Sequence, residues 1–145
     1  MQQQAQHRPV IILGTAIALT SLAEIVYFIV WGMALFPSGS LAGKAVWTAT
    51  CGIAMGAVVG AATLLLVEGR ASGVAAMGMA AAIMAAVGSY CGWLCSRIDA
   101  RFDYFGGAEN SVLFIWSSVI PAITGGLLYG WWIYGSRGGA GEHAY

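Results

Sequence analysis

"SLAEIVYFIVW", residues 21–31, sets a carboxylate, Glu24, among ten residues that hydrocarbon accepts wholly or nearly so. The apolar run around it extends over about 10–36. Three more follow, at about 45–67, 74–96 and 111–134. Each reaches the roughly 20 residues that a helix needs to cross about 30 Å of hydrocarbon. In that medium every backbone N–H and C=O must be paired within the chain, so the runs are expected to be helices. The expected fold class is all-α: an integral membrane protein built as one four-helix domain, 1–145, with both termini on one side.

Composition supports this reading. The chain is 59% hydrophobic and 8% charged, whereas soluble domains carry about 25% charged residues. Apart from Glu24, the charges fall at or between the apolar runs. Net charge is zero and no basic cluster occurs, which argues against a nucleic-acid partner. The first run is too long for a signal-peptide core and is read as a retained span. Lys and Arg set orientation, but Arg8, Arg70 and Arg137 on the terminal side balance Lys44, Arg97 and Arg101 opposite. The long, acid-bearing third loop inclines the reading to cytoplasmic termini and a cell (inner) membrane location.

Between the runs lie "PSGSLAGK" (37–44), "VEGRASG" (67–73) and "RIDARFDYFGGAENS" (97–111), all with turn chemistry. In the third, Ile98, Phe102 and Phe105 follow i, i+4, i+7 spacing, which predicts a short amphipathic helix lying in the interface. Asp99 and Asp103 there could hold a cation, although a solvated polar face is the plainer expectation.

Without a hydrophobic driving force in lipid, helices associate where small residues let backbones approach. Gly52, Gly56 and Gly60 in the second span, and Gly78, Ala82 and Ala86 in the third, have the four-residue spacing of such seams. Spans two and three are therefore expected to form the tight centre of the bundle, or a seam between subunits. Pro121 lacks an N–H and crowds the carbonyl of Ser117, so a kink is expected in the fourth span.

Depth counted at 1.5 Å per residue puts Glu24 near the midplane. The polar and aromatic residues gather in the half-membrane on the side of the 37–44 loop. Tyr27, Tyr90, Ser117 and Ser118 are the expected hydroxyl partners of Glu24. Trp31, Trp47, Cys51, Trp93 and Trp116 are expected to line a vestibule opening on that side. An intramembrane carboxylate is a functional candidate by default. With no Lys, Arg or His at its depth, Glu24 is expected to be neutral unless it holds a cation.

Cys51, Cys91 and Cys95 could join Glu24 around a soft metal, but cysteine in an apolar helix is ordinarily small filler, and no metal site is expected. His7 and His143 lie outside the spans, which excludes a bis-His haem inside the bundle. No nucleophile–base pair or phosphate loop is present, so an enzyme is not expected and no catalytic residue is assigned. No cofactor is evident, although a quinone, pigment or lipid would suit the apolar walls.

"ILGTAIALTSLAEIV" (12–26) resembles the first helix of the small multidrug-resistance exporters. The resemblance implies that Glu24 exchanges protons for a cationic drug. It covers one helix: the family's aromatic–Gly signature is missing from the Ala-rich third span, and this chain is about a third longer. "SLAEIVYFIVWGMAL" (21–35) is similar to the carboxylate helix of rotary-ATPase proteolipid subunits, but there the carboxylate sits on the second helix of a hairpin. Neither family is adopted. The expected function is an accessory subunit of a larger respiratory, photosynthetic or monooxygenase-type complex, docking other transmembrane subunits or itself through Gly/Ala faces. The alternative is a small oligomeric proton- or cation-coupled transporter using Glu24.

Overall fold

The computed structural model describes residues 2–37, 39–103 and 105–135. Arg137, Glu142 and His143 lie outside the described residues. Helix α1, Gln2–Tyr27, continues without a break into a π-helical stretch, Phe28–Leu35. Helices α2 (Leu41–Leu66), α3 (Gly73–Phe102) and α4 (Ser111–Tyr134) follow, with a single 3-10 turn at Gly107–Asn110 before α4. No strand occurs among the described residues. Four segments are long and apolar enough to span a membrane: His7–Leu35, Leu41–Leu66, Gly73–Phe102 and Gly107–Tyr134. Leu22, Ile25, Ile53, Leu65, Val112 and Leu127 are among the large apolar side chains on the outer surface, where lipid rather than water suits them.

Two hairpins, α1–α2 and α3–α4, pack closely within themselves and more loosely against each other. Gly52, Gly56 and Gly60 face α1. A Cβ at Gly52 would lie 3.0 Å from Ser21 Cα, one at Gly60 2.9 Å from Leu13 Cα, and one at Gly56 would collide with Ile17 and Thr20. Thr20 uses this approach to donate its hydroxyl to the Gly52 carbonyl at 2.7 Å. In the second hairpin, Gly88 meets Ala122, Gly92 meets Ser118, and Gly126 and Gly130 meet the backbone of Ala81 and Met77.

The seams therefore differ from those expected. The close pairs are α1 with α2 and α3 with α4, not α2 with α3. Gly78, Ala82 and Ala86 are exposed on the outside of α3. An Ala-rich helix has small residues on every face, so four-residue spacing alone does not identify the buried one. At the terminal end, Arg8 pairs with Glu68 and lies over the Tyr134 ring at 5.6 Å, while the Tyr134 hydroxyl donates to Glu68 at 3.1 Å. This network puts the start of α1, the end of α2 and the end of α4 on one side.

The third loop also departs from expectation. Residues 97–102 are the last turns of α3 rather than a separate interfacial helix, and Phe105 folds back into the core at 1% exposure. Asp99 is neither a solvated acid nor free for a cation: its carboxylate accepts the N–H of Phe105 at 2.7 Å and of Gly107 at 3.0 Å. Asp103 ends α3 in the left-handed region with φ 52° and is exposed. Pro121 is exposed and lies within an uninterrupted α4.

These seams give a paired expectation. Gly56→Leu forces α1 from α2 and lowers stability by about 1–3 kcal/mol, as overpacking does. Gly78→Leu, on the bare face of α3, leaves the isolated chain unchanged. Unfolding midpoints of both variants in mild detergent check this.

Candidate functional site

Where the two hairpins meet, they leave a cavity of about 450 Å³. Its walls come from α1 and the π-helical stretch (Leu19 to Trp31) and from α4 (Phe114 to Leu128), and its floor from α2 and α3 at Thr48, Met55, Met84, Gly88, Cys91 and Cys95. Leu22, Val26, Val30 and Leu128 belong both to this wall and to the exposed apolar surface. The cavity is thus a cleft open sideways towards lipid between α1 and α4.

Its loop-side end is closed by stacked rings. Tyr27 and Trp31 stack at 5.7 Å, Trp31 and Phe36 at 5.2 Å, and Phe114 and Phe105 pack edge-on at 6.0 Å. Trp47 meets Phe105 at 6.2 Å. Gly32 leaves room for this: a Cβ there would approach Phe105 to 3.3 Å.

The π-helical stretch supplies the keystone. Phe36 N–H donates five residues back to Trp31 O at 2.9 Å, which frees the Gly32 carbonyl. The Lys44 ammonium takes up that carbonyl at 3.2 Å and the Phe36 carbonyl as well, with the Phe105 ring 5.5 Å away. Lys44 is fully buried. A cation at the negative end of a helix is favourable, and here it replaces the hydrogen bonds that the widened turn leaves unmade.

Across the cleft, Ser117 and Ser118 donate to Phe114 O at 2.8 and 3.0 Å. Ser117 Oγ is then the acceptor for Tyr27 O–H, at 3.0 Å, which ties α4 to α1. Glu24 lines the cleft, with its stem packed over Gly52. Among the described residues its carboxylate has no hydrogen-bond or ion-pair partner.

Several expected roles are thereby reassigned. Tyr27 bonds Ser117, not Glu24, and Tyr90 is 63% exposed on the outer face of α3. Trp93 and Trp116 are 46% and 60% exposed and face away from the cleft, while Trp31 and Trp47 line it. Helical phase was not readable for these residues. The vestibule expected to open at the loops is roofed by the rings above, so access lies to the side. Cys51 lies behind the cleft wall, close to Cys95. His7 is exposed near the start of α1.

Sequence reasoning missed Lys44, Phe36, Phe105, Phe114, Met55 and Met84. Lys44, Thr48, Cys51 and Met55 recur at i, i+4, i+7 and i+11, a one-face signal that was available. Nothing local marks Phe105, which reaches the core through a loop.

Comparison with protein-family models, with curated proteins and with solved structures finds no match. The cleft's function is therefore argued from its own chemistry.

Lys44→Met removes the donor to two buried carbonyls and is expected to cost about 1–3 kcal/mol, the penalty for unsatisfied buried polar groups. Arg97→Met, at an exposed position, is expected to cost little. Thermal unfolding of both variants, followed by tryptophan fluorescence, checks the difference.

Proposed function

We propose that this chain is a small ligand-binding subunit of a larger membrane assembly. Its ligand is a mainly apolar molecule with a hydrogen-bonding head, of the quinone, pigment or lipid class, that enters from the bilayer between α1 and α4. The observation that carries this reading is the unpartnered Glu24 carboxylate facing a laterally open cleft of about 450 Å³. That volume falls within the roughly 300–1,000 Å³ of small-molecule sites, and mostly apolar walls with a few polar groups are their usual construction. The exposed stripe Gly78, Ala82 and Ala86 suits close approach by a neighbouring transmembrane helix. The reading places the protein in the cell (inner) membrane with cytoplasmic termini.

A second reading, proton- or cation-coupled transport through Glu24, draws on the same carboxylate. It treats the missing partner as the place of a transported ion rather than of a ligand head.

Native purification in mild detergent, with mass analysis of proteins and of solvent-extracted small molecules, tests the first reading. Large stoichiometric partners and about one extracted ligand per chain are expected. Gly125→Leu, which fills the cleft from α4, is expected to abolish the ligand and keep the partners. A clean small oligomer without ligand, together with proton flux lost in Glu24→Gln, would establish the transporter instead.

A further inference from the structure

Cysteines from two helices, Cys51 on α2 and Cys91 and Cys95 on α3, meet at the floor of the cleft. Cys91 and Cys95, four residues apart, share one face of α3, and Cys51 approaches them from α2. Cys51 Sγ lies 3.6 Å from Cys95 Sγ, Cys91 Sγ lies 3.9 Å from it, and all three sulfurs fall within 4.8 Å of one another. All are free thiols, Cys95 buried and the other two half-buried. We infer that Cys51, Cys91 and Cys95 form a three-sulfur site for one Cu(I) ion within the membrane-spanning bundle.

The spacing carries the inference. A metal about 2.3 Å from each sulfur holds three of them roughly 4 Å apart in a plane. The thiols already have nearly that separation, so binding needs only small side-chain rotations. Apolar filler explains why each cysteine is tolerated in a helix, but not why three sulfurs from two helices converge. Glu24 lies in the same cleft but is not part of the sulfur group. A three-sulfur set with no oxygen or nitrogen suits soft Cu(I), whereas Zn(II) almost always completes a tetrahedron in structural sites.

Two further features fit a soft cation. Met55 and Met84 line the same cleft as Cys91 and Cys95, so thioether side chains share the cavity with the thiols. Lys44 lies on the face of α2 that carries Cys51, about 10 Å along the axis. Its positive charge, without a carboxylate partner among the described residues, offsets the negative charge of a copper–thiolate group. The copper stays Cu(I) throughout, and each thiol that becomes a thiolate ligand releases one proton to the medium. The site does not depend on which ligand occupies the rest of the cleft.

The test is anaerobic titration of the reduced, full-length protein in nanodiscs with Cu(I) buffered by a competing chelator, followed by metal analysis and X-ray absorption. The expected result is one copper per chain with three sulfur neighbours at about 2.3 Å. Cys51→Ser, Cys91→Ser and Cys95→Ser should each weaken retention at least tenfold while the unfolding midpoint of the metal-free protein stays near wild type. If a serine variant fails to fold, the sulfur count in the wild type decides. Retention no better than in the triple serine variant overturns the site, as does a sulfur count of two unaffected by Cys51→Ser. Zn(II) held more tightly than Cu(I), with an added oxygen or nitrogen neighbour, overturns the assignment to copper.

Discussion

Close backbone approach between α1 and α2 is the constraint on which the rest of the molecule depends. In lipid there is no hydrophobic force to press helices together, and contact area at short range has to do that work. Gly52, Gly56 and Gly60 supply it along three turns, and Thr20 adds a hydrogen bond across the seam. The same glycines fix the rotation of α1 about its axis. Glu24 then lies over Gly52, and Tyr27 and Trp31 follow on the same side. With its stem packed over Gly52, the carboxylate lines the cleft.

The second hairpin repeats the device with Gly88, Gly92, Gly126 and Gly130. Two tight hairpins that meet loosely leave space between them, and that space is the cleft. Its roof depends on an uncommon feature, the π-helical end of the first span. The widened turn frees a carbonyl, Lys44 takes it up, and Phe105 covers the ammonium. Asp99 in turn holds the loop that delivers Phe105. Removing either charge should loosen the roof rather than the seams, so the two parts of the molecule are separable by mutation.

The four spans were legible because length and apolarity are local properties, and Glu24 stood out because a carboxylate in oil is rare. Rotation was not legible. In a soluble helix the polar face reports which side is buried, but here both faces are apolar. Tyr90, Trp93 and Trp116 were therefore assigned to the wrong side of their helices, and Gly78, Ala82 and Ala86 lie outside the bundle's own seams. The loop from Arg97 to Asn110 looked amphipathic because its pattern was read as one helix. Asp99 and Phe105 are in fact buried by contacts that only the folded chain provides. The sequence allowed Cys51 to meet Cys91 and Cys95 but favoured plain filler, because the meeting depends on the relative phase of α2 and α3.

The central claim is that the cleft beside Glu24 opens to the bilayer between α1 and α4. Photolabelling tests it most directly, with the wild-type protein in nanodiscs containing a phospholipid that carries a diazirine halfway along one acyl chain. Adducts on the cleft walls at Cys91, Ser118 and Ala122, in addition to those on the outer surface, are the expected result. Adducts confined to outward residues such as Ile25, Trp93 and Trp116, with the cleft walls unmarked, would contradict it.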